Sequence, residues 1–229
     1  MKHNILLCAA CSNELKYVTN SNAYRLITGV GIFQTVYNLT LALAQKKYDL
    51  VITAGIAGDY NRDRDLNQMF MIGKSTFADT GFEDEEGGFV PLIGSAFLDC
   101  NKPPFHERYI YNNVSDEFAD IIKLPTATAN TISRTCTDPT HVASLLQQFP
   151  ADLETMESAA YSYVCALQNA QYAEIRCTSN HILPKKQEKW QIDGALRTLG
   201  THVDRILEEI CWLFFAIPKL ISNFALEKI

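Results

Sequence analysis

Residues 154–180 read ETMESAAYSYVCALQNAQYAEIRCTSN, an acid-opened, alanine-rich stretch followed by a short apolar run that ends on Ser179-Asn180. Ala160, Val164 and Leu167 recur at helical spacing, which predicts a helix from about Met156 to Gln168 with one buried stripe. Tyr172 to Thr178 has the length and apolar content of a buried strand. A helix handed over to a buried strand is a building unit of the α/β class.

The rest of the chain repeats the unit. Short apolar runs at Ile5 to Ala10, Tyr24 to Thr28, Leu50 to Ala54, Met69 to Phe77 and Ala127 to Ser133 are candidate strands. Two further helices are expected. One runs from about Ile32 to Gln45, with Val36, Leu39 and Leu43 on one face. The other runs from about Asp193 to Trp212, burying Leu196, Leu199, Val203, Ile206 and Ile210, with Asp193 as its cap. The stretch Asp79 to Asn101, rich in glycine and acid, and the following Pro103-Pro104 segment read as loops near a ligand or a partner subunit. The sheet is expected to be mostly parallel or mixed, and residues 1–229 to form one domain with no internal linker.

The bulk properties narrow the function. The chain has 229 residues, 47% of them apolar and 20% charged, which suits one large globular core. A net charge of -6 supplies no basic stripe for a nucleic-acid backbone, so a small-molecule partner is expected. Seven cysteines form an odd set, and the Cys8-x-x-Cys11 pair lacks a second pair or a histidine cluster. They read as free thiols in a reducing cytoplasm, with no metal site. The apolar run near the N-terminus fits a first core strand better than a signal segment. The C-terminal ICWLFFAIPKLISNFAL is interrupted by Pro218 and Lys219 and is short for a membrane span. It is expected to finish a packed helix and cover a subunit contact or a core edge.

In open α/β sheets ligands collect beyond the carboxyl ends of the strands. Four segments fall there: Cys11 to Glu14, Thr28 to Gly31, Ala54 to Gly58, and Thr178 to Asn180. Glu14 is either an acid in the first turn of a short helix or a general base. Thr28-Gly29-Val30-Gly31 is either a tight turn or a cradle at a helix start, and it lacks the third glycine of a dinucleotide fingerprint. Met156-Glu157 is either a core methionine beside a helix-start acid or a sugar-binding pair. Asn180 either caps a strand end or presents its amide to a ligand.

These segments together resemble the purine nucleoside phosphorylase and nucleosidase family, and within it the futalosine hydrolases. The resemblance covers nearly the whole chain and is specific around Glu14, Gly55 to Gly58, Met156-Glu157 and Ser179 to Ile192. It implies a three-layer fold with a central mixed sheet flanked by helices, and an oligomer, expected to be a dimer, that shares its site between subunits. It implies that Glu14 activates water, that the turn Gly55-Ile56-Ala57-Gly58 lies beneath the ribose, and that Met156 and Glu157 hold the sugar. Ser179-Asn180 would bind the base. An asparagine NH2 donates to N7 or O6 of a 6-oxopurine, whereas adenosine-type nucleosidases of the family carry aspartate at that position.

Phosphorylases of this family carry an arginine just before the glycine-rich turn to clamp phosphate. Here Ile52-Thr53 stand in that place, so water is the expected nucleophile. The segment after Asn180 keeps Pro184, Trp190 and Ile192 of the futalosine hydrolase layout, with Lys185 in place of the usual arginine. Either Lys185 or Lys186 would meet the carboxylate of futalosine, or the KKQEK stretch is a solvated loop. Thr131-Ile132, or an aromatic from Phe82, Phe89 and Phe105, would cover the base. The implied activity is hydrolysis of a 6-oxopurine nucleoside with no cofactor. A phosphorylase of inosine or guanosine and a non-catalytic nucleoside binder are the alternatives.

Overall fold

The computed structural model describes residues 4–226, with side chains over 4–212. Its elements in order are β1 (Ile5–Ala9), a 3-10 turn (Ser12–Leu15), β2 (Tyr24–Ile27), α1 (Ile32–Gln45), β3 (Leu50–Asp59), β4 (Met69–Phe77), β5 (Gly81–Glu83), β6 (Phe89–Pro91), β7 (Ile110–Tyr111), α2 (Asp116–Ile122), β8 (Thr126–Thr131), α3 (Pro139–Gln148), β9 (Leu153–Thr155), α4 (Ser158–Leu167), β10 (Tyr172–His181) and α5 (Ile192–Leu226).

One mixed eight-stranded sheet organises the molecule. β2, β1 and β3 run parallel, and β10 lies between β3, to which it is parallel, and β4, to which it is antiparallel. Pairings of β4 with β8, β8 with β9 and β9 with β3 close these strands into a ring. Side chains of β1 alternate between the two faces, as the period of a strand requires. Ile5, Leu7 and Ala9 enter the core shared with α2 and α5, while Leu6 and Cys8 enter the core under α1 and α4. The result is the expected helix–sheet–helix layering. Full burial of a leucine such as Leu7 or Leu39 is worth about 1.5–3 kcal/mol, so both cores contribute many such increments.

The expected strands and helices form, some with other lengths, and α2, α3, β5, β6, β7 and β9 come in addition to them. β3 does not turn at Gly55 but runs on to Asp59, so the glycine-rich turn is in fact a strand. Its first half, Leu50 to Thr53, pairs with β1, and its last two residues pair with β9. β10 likewise runs past Thr178 to His181 alongside β3, with a register shift between Thr178 and Asn180. β9 is three residues long and carried no periodic signal; it delays the start of α4 from Met156 to Ser158. Asp193 lies inside the first turn of α5, where it accepts hydrogen bonds from Tyr17 and Arg197, and so does not cap it. The loop read at Asp79 to Asn101 holds a small hairpin of β5 and β6. No helix among the described residues is long and apolar enough to cross a membrane. Side chains of the apolar tail beyond Trp212, and with them its expected covering role, lie outside the described residues.

Candidate active site

Where β1 stops and β3 continues, the backbone of β3 loses its neighbour. The Ile56 N–H, now beyond the reach of β1, would be a buried unpaired donor. Glu14 resolves this: its Oε1 accepts from Ile56 N at 3.0 Å, while its Oε2 accepts from Ala10 N at 2.8 Å and Cys11 N at 3.3 Å. The carboxylate, carried by the short 3-10 turn that follows β1, is thereby fixed in direction by three backbone donors. Gly55 makes room for it. A Cβ at that position would lie 2.3 Å from Arg176 Nη1 and 2.4 Å from Glu14 Oε1.

Arg176, on β10, is 1% exposed and stands among three carboxylates. Its Nε donates to Glu174 Oε1 at 2.6 Å, and its Nη1 lies 3.9 Å from Glu14 and 3.8 Å from Glu157. Burial works against its charge, but the three acids hold its pKa above the ordinary arginine value. Glu157, at the start of α4, accepts from Gly31 N at 2.9 Å. Gly31 adopts φ 87°, the left-handed region that glycine enters without strain, and the turn presents its N–H to the acid. Burial raises the Glu157 pKa, opposed by Arg176 and the Gly31 N–H and reinforced by Glu14 and Glu174.

At the far end of β10 the Ser179 hydroxyl donates to Asn180 Oδ1 at 2.9 Å. With its oxygen engaged, the asparagine amide has its NH2 as donor, one hydrogen of which reaches His181 O at 3.4 Å while the other is left for a ligand. In the same row of the sheet, Asn180 pairs with Gly58 and Gly58 pairs with Glu154. Glu154 Oε2 accepts from Tyr60 OH at 2.8 Å. Burial raises the Glu154 pKa to about 7, with Tyr60 opposing and Asp79 adding to the rise.

These groups surround a cavity of about 240 Å³ lined by Glu14, Ile56, Ala57, Gly58, Glu154, Met156, Glu157, Ser179 and Asn180, with Val30, Ile182 and Trp190 among the remaining apolar walls. Trp190 is more than half exposed and stands at its mouth. The next residue anchors it, since Gln191 N donates to Ser179 O at 2.7 Å.

Residues 20–211 match the model of the phosphorylase superfamily. This chain belongs to that superfamily. A futalosine hydrolase of Thermus thermophilus is 26% identical to it over 184 residues, which is 80% of either chain. Among solved structures, the futalosine hydrolase of Helicobacter pylori superposes with a TM-score of 0.70 at 13% identity, over 91% of this chain and 99% of that one. A 5'-methylthioadenosine/S-adenosyl homocysteine nucleosidase from Helicobacter pylori gives a TM-score of 0.69 at 14% identity, over 91% and 99%. At such identities the two structures speak for the fold alone.

Of the positions that the superfamily resemblance singles out, Glu14, Ile56, Ala57, Gly58, Met156, Glu157, Ser179 and Asn180 meet around this one cavity. Four others stand away from its wall. Gly55 lies behind Glu14 and Arg176. Thr131 is fully buried, its hydroxyl accepting from Ala159 N at 2.8 Å, and Ile132 packs in a core with Ala78, Leu145 and Phe149. Both, one of two alternatives for covering the base, stand apart from the cavity, because the α4 start takes the Thr131 hydroxyl and the core under α3 takes Ile132. Lys185 is exposed and faces Asp63 at 3.7 Å. Phe82, Phe89 and Phe105 do not line the cavity either. Arg176 and Glu154 were not foreseen as site residues. The signal for Arg176 was the alternating pair Glu174 and Arg176 inside a mostly apolar strand, since charges buried there demand partners. Glu154 gave no signal beyond its place two residues before Met156.

Proposed function

We propose that this protein hydrolyses the N-glycosidic bond of a 6-oxopurine nucleoside, futalosine above all, releasing hypoxanthine and dehypoxanthinyl futalosine in the service of menaquinone synthesis. The observation that carries the choice of water over phosphate is the charge of the cavity wall. Three carboxylates, Glu14, Glu154 and Glu157, line it, and among the described lining residues there is no lysine or arginine. Arg176 stands behind Glu14 and Glu157 rather than on the wall, so no cation there offers a phosphate dianion a clamp, whereas a neutral water needs none. The futalosine hydrolase relative supports the substrate.

In this reading Glu14 takes the proton of a water as its oxygen attacks C1' of the ribose, and the electron pair of the breaking C1'–N bond passes to the purine, which gains a proton from solvent as Glu14 gives its own up to solvent. Glu157 accepts from the ribose hydroxyls, a charge-assisted contact that strengthens as the sugar acquires oxocarbenium character. Met156 packs against the sugar. Asn180 donates its NH2 to N7 or O6, where charge accumulates on the departing base. No cofactor enters this scheme.

The experiment is chromatography of free base after incubation with futalosine, inosine and methylthioadenosine, each with and without phosphate. Hypoxanthine from futalosine without phosphate is the expected outcome. Phosphate-dependent release from inosine with ribose 1-phosphate as co-product would make the protein a phosphorylase, and binding without release would make it a nucleoside-binding protein. Asn180→Asp is expected to shift kcat/KM from 6-oxo toward 6-amino bases by about 10-fold or more, because a site built for one hydrogen-bonding edge rejects the other. An unchanged preference removes Asn180 from base recognition.

A cytoplasmic homo-oligomer belongs to the same reading. Phe33, Tyr37 and Leu41 are exposed one turn apart on α1, and Val30 just before them is both exposed and part of the cavity wall. A second copy seated on this face would cover an apolar stripe continuous with the site. Phe33→Asp is expected to halve the mass in analytical ultracentrifugation and to weaken substrate binding; an unaltered mass places the interface elsewhere.

A further inference from the structure

The segment 182–190 leaves the end of β10, carries Ile182 and Trp190 to the cavity wall and returns at Gln191, whose N–H donates to Ser179 O. His181, next to Asn180 on β10, fastens it. The residue is buried and both ring nitrogens are engaged, Nε2 with the Arg64 carbonyl oxygen at 2.9 Å and Nδ1 with Glu188 Oε1. The other oxygen of Glu188 accepts from Lys185 N at 2.8 Å, so one carboxylate ties the segment both to itself and to β10. A carbonyl oxygen only accepts, so Nε2 carries a hydrogen. A neutral imidazole then has none for Nδ1, whose lone pair would face the carboxylate. The contact is complete only while the pair holds one more proton. The Lys185 N–H, against slight burial, and then His181 hold the Glu188 carboxyl below its ordinary pKa, which leaves that proton on the imidazole. The other charged groups about the ring are Asp59, its cross-strand partner on β3, and Arg64, which lies 3.2 Å from Asp59 and 3.8 Å from Asp152; beyond Glu188 the exposed Lys185 faces Asp63.

We propose that His181 and Glu188 are positioning residues that form a proton-dependent clamp: the imidazolium–carboxylate pair holds segment 182–190, and with it Ile182 and Trp190, against the cavity, and loss of the imidazole proton releases it. Deprotonation sets a lone pair against a carboxylate and removes a charge-assisted hydrogen bond, which is stronger than a neutral one. Imidazoles change charge between about pH 5 and 8, so the clamp loosens as pH rises through that range. Tighter substrate binding in the clamped state rests on the nucleosidase reading above.

Acrylamide quenching of Trp190 fluorescence, in a Trp212→Phe background that removes the other tryptophan, reads the segment with no substrate present. Quenching is expected to strengthen from pH 6 to pH 8. Glu188→Gln separates the proton from packing. Its amide oxygen accepts from Lys185 N while its NH2 donates to the lone pair of a neutral His181, so the clamp closes without the proton and the pH dependence is expected to flatten or reverse. In the hypoxanthine release assay, the KM of the wild type relative to that variant is expected to rise about 10-fold over the same interval, the lower range of a hydrogen bond to a charged group, while the ratio of kcat values stays level. Both proteins share Glu14, Glu154 and Glu157, whose titration cancels in these ratios. A wild-type segment quenched equally at the two pH values overturns the proposal, a comparison that needs no Glu188 variant to fold. So does a variant that keeps the wild-type dependence, or a KM ratio that stays level. Release of hypoxanthine with a segment indifferent to pH ends the clamp and leaves the nucleosidase reading standing, whereas a pH-dependent segment in a protein that releases no base keeps the clamp and ends that reading.

Discussion

Glu14→Gln is expected to lower kcat for futalosine by roughly 10²–10⁴-fold, the range associated with loss of a positioned general base, with little change in nucleoside affinity. The geometry makes the separation of rate from binding testable. Three backbone N–H groups hold the carboxylate, and glutamine keeps an oxygen for Ala10 and Cys11 while its NH2 faces the Ile56 N–H. That single mismatch disturbs the orientation locally and leaves Glu157 and Asn180 in place. Single-turnover rates and equilibrium binding of a non-cleavable nucleoside, measured on the same preparation, decide it. A variant that turns over at near wild-type rate removes Glu14 from the chemistry; one that loses affinity in proportion to rate makes it a binding group.

Arg176→Met is the substitution with the largest expected effect on folding, a loss of about 3–5 kcal/mol at neutral pH, because it leaves buried carboxylates without their cation. Methionine matches much of the arginine volume, so the loss would reflect charge more than packing. The pH dependence separates the two. Burial holds the Glu157 pKa above its ordinary 4.5, and Arg176 opposes that rise. A carboxyl whose folded pKa lies above its unfolded value leaves stability intact below the unfolded value, and stability falls as pH climbs from there toward the folded value. Removing the guanidinium lifts the folded value further, so the deficit of the variant should be small near pH 4.5 and widen toward neutrality. Urea unfolding at pH 4.5 and pH 7.5 reads this directly. Equal deficits at the two pH values would mean that Arg176 acts through packing, and no deficit would mean that the acids find other partners.

The linear chain carries the alternation of β1, the buried stripes of α1, α4 and α5, and the α/β order of elements, because these depend on periodicities of two and 3.6 residues. Its short motifs also mark most of the cavity wall, since Glu14 and Met156-Glu157 follow strand ends and Ser179-Asn180 lie in the last residues of β10, near the carboxyl ends of the strands where ligands collect. Three features are fixed only when the strands assemble. β3 and β10 extend through Gly55 to Asp59 and through Ser179 to His181 because they pair with each other, and a glycine-rich segment becomes a strand when its neighbour supplies the hydrogen bonds. Arg176 meets Glu14 and Glu157, which lie 162 and 19 residues away in sequence, because β10, the turn after β1 and the start of α4 converge beside Gly55. Glu154 faces Asn180 across Gly58 because β9, too short to leave a periodic signal, docks in register on the last two residues of β3. Local pattern therefore determined which elements form. Strand pairing between distant segments decided which charges share a buried space, and with that the electrostatics on which the proposed chemistry depends.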